Sequence, residues 1–327
     1  MNQDLLMATA RELTDDEAGG HGNRWGVFDE DVSGFIERWL GLAVQEAEVC
    51  NLGLLEEAAL KQLQTQGEPF AVALLYTGQA PRLGQAGLMA LIHQDPGGPD
   101  SEPRNQLWSA FPFFGNGIEV HARVAGIAVF PNRLEARLRL ELSSGAMVFA
   151  FDTGFVQSRS VYRAGEVYRF KLSALAYEME SAQSLEHVID DVDEIRRFRA
   201  RNAWAEAHGS WTKDDEAASL AAWQPQSPED LEPIRINMGR LAALMPSSNG
   251  PADDAQFIGE VVHVEPRALR LMDVDFWRVD TVVIRADENL IVPIYVAEHL
   301  FADSWRPEVG QYVTGSLWLQ THVTARV

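Results

Sequence analysis

The amino-acid sequence predicts an α+β protein built around two related, small antiparallel β units, and three observations carry that prediction. The first is a repeated order of landmarks. From Ile118 to Glu180, and again from Phe257 to Val327, the chain runs through apolar strand, turn, alternating strand, turn, apolar strand, short connector, glycine and aromatic-rich strand. The earlier landmarks are Val120–Val124, Leu134–Leu142, Met147–Phe155, Gly165 and Tyr168–Leu175; the later ones are Val261–Val264, Trp277–Ile284, Leu290–Val296, Gly310 and Tyr312–Leu319. The interval from third strand to glycine differs by about two residues, which a loop absorbs at little cost. The second observation is strict alternation: Leu134, Ala136, Leu138, Leu140 and Leu142 alternate with Arg133, Glu135, Arg137, Arg139 and Glu141, the pattern of a strand with one buried and one wet face. The third is that helical periodicity is confined to the N-terminal region and to a charged stretch between the two units.

Taken in order, residues 1–67 read as a helical N-terminal region. Asp15 to Gly22 has the polar, glycine-rich composition of a mobile loop. Ser33 stands where an N-cap would, ahead of Ile36, Trp39, Leu40 and Val44, and a further helix is expected over Leu54–Gln66 after a break at Asn51-Leu52-Gly53. Residues 68–183 form the first β domain, which opens with a strand pair, Phe70–Tyr76 and Leu88–His93, followed by a proline- and glycine-rich loop from Gln94 to Pro103. Met147–Phe155 is apolar on both faces and is expected to be central.

Residues 184–225 read as a charged helical connector. Val188, Ile189, Val192, Ile195 and Phe198 keep a helical face, with acids early and Arg196, Arg197, Arg199 and Arg201 late, an order that suits the helix dipole. A second short helix is expected over Lys213–Trp223. Residues 226–327 form the second β domain. Pro293 argues for an edge strand or bulge, and Gly315 for a bend of the kind small barrels need at their corners. Four strands and one upstream element per unit fit a five-stranded Greek-key barrel of the OB-like type, the connector standing in for that fold's helix.

Composition bounds the function. With 327 residues the chain is long enough for two or three cores, and 46% apolar content is that of a folded protein. Membrane insertion is not expected, since no apolar run is long enough to span a bilayer, and the start has no basic region followed by an apolar one; the cytoplasm is the expected compartment. A single cysteine, Cys50, excludes an internal disulfide and a thiolate metal cluster. A net charge of −21 repels phosphate backbones and argues against nucleic acid as a partner.

No nucleotide, phosphate or hydrolase motif is present: Gly115-Asn116-Gly117 lacks a third glycine and precedes a strand, and no cofactor is implied. His121 and His263 occupy similar places in their units and could mark a repeated site; the expectation is that His121 lies on a polar face beside Glu119 and Arg123, and that His263 interrupts an apolar strand and is hydrogen-bonded. His187, Asp190, Asp191 and Glu194 would share one side of a helix at i, i+3, i+4 and i+7, a spacing that could hold a hard divalent ion; acids at a helix start also serve the dipole alone. Asp152, at the end of a central strand, is the other candidate for acid–base or metal chemistry. Among the nine tryptophans, Trp277, Trp305 and Trp318 fall in the second unit with Tyr295, where aromatic side chains either fill the core or present a binding surface.

The sequence therefore points first to a non-enzymatic binding or scaffolding protein whose partner is a protein or an uncharged small molecule or glycan, with homo-oligomerisation left open. The alternative is a metal-dependent hydrolase or other enzyme using the acidic helix.

Overall fold

A computed structural model describes residues 9–19, 22–46, 48–49, 71–76, 86–95, 104–182, 186–209, 211–237, 241–247, 250–302 and 305–327. The expected helix at Leu54–Gln66, the break before it, Cys50 and most of the loop after Gln94 lie outside the described residues. The chain separates into two compact units, residues 1–181 with 242–327, and residues 182–241.

In the larger unit the N-terminal region contributes strand β1 (Arg11–Glu12), helices α1 (Asp15–Ala18), α2 (Gly22–Trp25) and α3 (Val32–Glu46), and strand β2 (Glu48–Val49). Then come β3 (Ala71–Tyr76), β4 (Ala86–Asp95), β5 (Arg104–Phe114), β6 (Ile118–Val129), β7 (Ala136–Leu142), β8 (Met147–Asp152), helix α4 (Phe155–Ser158) and β9 (Val167–Ser181). The smaller unit holds β10 (Glu186–Ile189), α5 (Val192–His208), α6 (Glu216–Ala222) and β11 (Ile234–Asn237). The larger unit resumes with β12 (Ala243–Pro246), β13 (Asp254–Leu271), β14 (Val274–Ile284), β15 (Leu290–Ala297) and β16 (Tyr312–Arg326). The described chain is thus strand-rich with fewer helices, a mixed α+β architecture.

One pairing scheme occurs twice in the ten-stranded sheet. β6 pairs antiparallel with β7 and β9, and β7 with β8. β13 pairs antiparallel with β14 and β16, and β14 with β15. Register shifts fall at matching places, between Val124 and Gly126 in one first strand and between Val261 and His263 in the other. β9 and β16 pair with each other, and short parallel contacts are reciprocal: Phe151 of β8 faces Gln320 of β16, while Ile294 of β15 faces Ala174 of β9. These ladders close two five-strand circuits that share β9 and β16.

The alternation of β9, β15 and β16 sorts their side chains into two cores. Ala174, Ala176, Ile294, Val296, Leu317 and Leu319 point into a core with Leu138, Leu140, Phe170 and Val279. Leu175, Tyr295 and Trp318 point the other way, into a core completed by Trp25, Phe28 and Phe35 and by Met89, Phe111 and Phe114 of the β2–β3–β4–β5 sheet. Each buried side chain of this size contributes roughly 1.5–3 kcal/mol by leaving water. Polar contacts fasten the smaller sheet down: Gln320 donates to the Pro112 carbonyl at 2.8 Å and accepts from the Phe114 amide at 3.0 Å, while Ser173 donates to the Phe114 carbonyl at 2.5 Å.

Several local expectations change. Asp15 to Ala18 is a helix, with Thr14 and Glu17 forming a reciprocal capping box, rather than a mobile loop. Helix α3 starts at Val32, and Asp31, not Ser33, accepts from the Gly34 amide. The outer face of β7 is not uniformly wet: Arg137 is buried, as is Glu135 just before the strand, because N-terminal residues and β5 lie over that end. Pro293 is not on an edge, since β15 has neighbours on both sides; the parallel contact with β9 starts one residue later, so the missing N–H interrupts nothing. At Gly315 an added Cβ would lie 2.1 Å from the Glu178 carbonyl oxygen, so this glycine lets β16 and β9 approach closely.

Candidate functional site

The connector between third and fourth strands differs sharply between the two halves of the sheet. In the second half it carries an aromatic cluster that reaches solvent. Trp277 of β14 stands on the side of the strand opposite Phe276; Phe276 is buried in the core facing the N-terminal region, which leaves Trp277 at the rim of the other core. After β15 a single 3-10 turn, Glu298–Leu300, brings Phe301 over Trp277 edge-on, with ring centroids 5.3 Å apart. Trp305 packs on Phe301 in the same manner at 5.8 Å. The Arg306 guanidinium lies 5.2 Å from the Phe301 ring and 5.8 Å from Trp277. Phe301 is buried, whereas Trp277, Trp305 and Arg306 are each half-buried. Beside them Glu298 accepts from Arg267 Nε at 2.9 Å, and that guanidinium holds the carboxyl below its usual range. Such a cluster offers planar apolar faces and an edge of positive charge.

In the first half the same stretch is sealed. Asp152 ends β8, Gly154 starts α4, and every residue from Phe151 to Arg159 is buried. The Tyr162 hydroxyl donates to Asp152 at 2.5 Å, Ser158 Oγ lies 3.1 Å from the same carboxylate oxygen, and the Gly154 amide donates to the other at 3.0 Å. Burial pushes the Asp152 carboxyl up to about 6 against the opposing pull of these bonds, and raises the Tyr162 hydroxyl further still. The described grooves do not include Asp152, Ser158 or Tyr162 in their walls. This is a buried polar lock, in which Asp152 is held by Tyr162, Ser158 and the Gly154 amide.

Of the aromatic residues singled out from sequence, the fold brings Trp277 and Trp305 together and separates them from the others. Trp318 is 0% exposed, and its indole donates to Asp253 at 2.7 Å. Tyr295 is buried, stacks on Phe114 at 4.8 Å and donates to the Asn116 carbonyl at 3.2 Å. Neither presents a surface, because the N-terminal helices and the smaller sheet cover that side. The helical spacing expected of the acidic constellation is not kept. His187 lies in strand β10, paired with Ile236, so the helical spacing to Asp190, Asp191 and Glu194 is lost; the His187 side chain lies outside the described residues. Asp191 is the N-cap of α5, accepting from the Asp193 amide at 3.0 Å and the Glu194 amide at 2.9 Å. Asp190 and Glu194 are exposed, and among the described residues no three His, Cys, Asp or Glu side chains gather as metal ligands. His121 and His263 are both exposed.

Sequence reasoning missed a buried charge cluster. Asp253, 0% exposed, meets Arg24 at 3.0 Å and also pairs with Arg137, while the Arg24 guanidinium lies 4.1 Å from the Trp318 ring. These groups come from α2, β7 and the residue just before β13, and no local spacing announces their meeting. The arginines of α5 were also misread. They stand mid-helix, and the last turn holds His208 instead, so the dipole does not account for them. Among the described residues no helix is long and apolar enough to cross a membrane. Comparison with protein-family models, curated proteins and solved structures returns no match.

Proposed function

We propose that this chain is a non-enzymatic binding protein built on two copies of one OB-like β unit, in which the second copy binds a protein segment or an uncharged glycan through Trp277, Trp305 and Arg306. The observation that carries the reading is the contrast between the two connectors: one is closed by buried polar contacts, and the other leaves an aromatic cluster half-open. Half-buried tryptophan and arginine side chains on a rigid strand and a short turn are what apolar protein segments and sugar rings pack against, because they supply contact area with few torsions to freeze.

Support for the two-copy part comes from the repeated pairing scheme, the matching register shifts, the reciprocal parallel contacts, and a left-handed glycine before each final strand, Gly165 at φ 79° and Gly310 at φ 87°. An exchange of the two copies maps the Leu319–Ala174 pair onto the Gln320–Ser173 pair, as a local two-fold between them requires. Against catalysis stands the lack, among the described residues, of convergent polar groups at the open cluster.

The test compares the intact protein with Trp305→Ala on an immobilised glycan array and in quantitative pull-downs from cell extract. Loss of the bound glycan or protein in the variant supports the reading. Binding partners unchanged in both assays would remove it.

A further inference from the structure

We infer that the first half of the sheet carries an open strand-pairing edge, Ile118–His121 of β6, which takes an extended apolar segment of a partner protein with basic residues at its ends. This rests on the two-copy reading of the sheet and makes no use of the aromatic cluster. In the second half the start of β13 is held on both sides: Ala255–Ile258 pairs with β16 on one side and with β12 on the other, and β14 takes over that second side from Glu260 onward. In the first half the start of β6 is held on one side. Ile118–His121 pairs with β9, β7 joins the other side from Ala122 onward, and among the described residues no strand lies where β12 lies in the second half.

A groove of 220 Å³ runs along that edge, walled by the β7–β8 turn at Ser143 and Ser144 and by the β14–β15 turn at Glu288 and Asn289. Its floor is an incompletely sealed margin of a core, where Ile118 and Val120 are half-buried beside buried Leu142 and Leu290. At the matching margin of the second half, Leu244 of β12 packs on the same core.

The occupant follows from this comparison. An extended segment antiparallel to β6 supplies the missing ladder and one apolar side chain in the place that Leu244 fills, which is strand addition to a sheet edge. The rim sets its charge. Glu119 and Glu288 stand there and no lysine or arginine lines the groove; Arg169 reaches Glu119 at 3.6 Å, whereas Glu288 has no ion pair among the described residues. A net charge of −21 adds a field of the same sign, so basic ends are favoured and acidic ones are not.

Fluorescence anisotropy with the full chain tests this, with a fluorescein-labelled peptide that reproduces Leu241–Ser247 and carries an added lysine at each end. Saturable binding is expected below about 1 mM, weaker as salt rises. The same peptide N-methylated at alternate residues cannot complete a ladder and should bind at least about tenfold more weakly, and one with glutamates at its ends severalfold more weakly. Asn289→Trp, at an exposed turn position, fills the mouth of the groove and should weaken binding at least about tenfold; Ser143→Trp on the opposite wall provides the same reading if the first variant does not fold. Amide hydrogen exchange should slow at Ile118–His121 when the peptide binds. No saturable binding by the unaltered protein, equal affinity of the N-methylated or glutamate-ended peptide, equal affinity in the folded tryptophan variants, or exchange slowed around Trp277 and Trp305 in place of β6 would each overturn the inference. So would a dimer in light scattering that Asn289→Trp dissociates, since a second copy would then hold this edge. The Trp305→Ala comparison is independent of these variants, so failure at this edge and failure at the aromatic cluster are told apart.

Discussion

The connector from Gly154 to Arg163 follows β8 and the connector from Glu298 to Arg306 follows β15, and each precedes a left-handed glycine, yet they are finished in opposite ways. The first turns its polar groups inward, where Asp152, Ser158 and Tyr162 satisfy one another out of contact with water. The second, among its described residues, has no buried carboxylate to satisfy, and keeps Trp277 and Trp305 half-buried on either side of Phe301. On the proposed reading, stability and recognition fall to different parts of one sheet. A polar lock raises the cost of error at its site, because each partner removed leaves another unsatisfied. On the proposed reading, change at the open aromatic cluster costs the fold less than it costs binding.

The largest effects should come from the buried polar groups. Tyr162→Ala removes both a packed ring and the donor to Asp152, and should cost about 3–5 kcal/mol in chemical denaturation. Asp253→Ala, which leaves Arg24 and Arg137 buried without their carboxylate, should cost a similar amount, about 3–5 kcal/mol. By contrast Trp305→Ala should cost only about 1–2 kcal/mol, as expected for a half-buried ring. If Trp305→Ala proved as destabilising as Tyr162→Ala, the distinction between the two connectors would fail.

A pH series sharpens the same contrast. Asp152 has a folded-state value raised to about 6, so its contribution to stability is fully present below the ordinary carboxylate value and is lost as pH rises through about 6. His322 is buried near Phe113 and pushed down to about 4, so its contribution is present above the ordinary imidazole value and is lost as pH falls through about 4. The two slopes oppose each other between about pH 4 and 6. Asp152→Asn should therefore gain stability relative to the unaltered protein as pH rises across that window, by on the order of 2–3 kcal/mol. His322→Gln should show the reverse trend. Difference curves from urea unfolding at several pH values check both signs.

Much of the strand framework was legible because it depends on local period: alternation in β7, two-sided apolarity in β8 and a glycine before β9 and β16 are all written within a few residues. The β3–β4 pair was legible for the same reason. What was not legible depends on distant covers. Trp318 lies past a mid-strand glycine and could have faced either way; Arg24, far away in sequence, settles it by lying on the ring. Arg137 reads as wet in an alternating strand until Asp253 meets it. The helical reading of His187 failed because apolar residues from Val188 to Ile195 continue a helical period across two elements. Asp191 caps α5, and β11 claims the residues before it, a nonlocal pairing that no window contains. Trp277 and Trp305 were named from sequence, but their meeting through Phe301 was not, since the turn that joins them is set by the fold.

Smaller effects test the equivalence of the two halves. Nothing lies within 4 Å of a Cβ added at Gly165 or Gly310, so alanine at either site pays only for its left-handed backbone. Each substitution should cost about 1–2 kcal/mol, and the two costs should match within experimental error. Arg306→Ala, which removes a partly exposed cation from the Trp277 and Phe301 rings, should cost about 0.5–1 kcal/mol, the least of the set.

The division of roles is tested most directly by measuring partner capture for Trp305→Ala and Asp152→Asn side by side, both at a pH where they are folded. Capture should fall at least about tenfold for the tryptophan variant and stay at the level of the unaltered protein for the aspartate variant. Capture retained by Trp305→Ala, or lost equally in both, would contradict it.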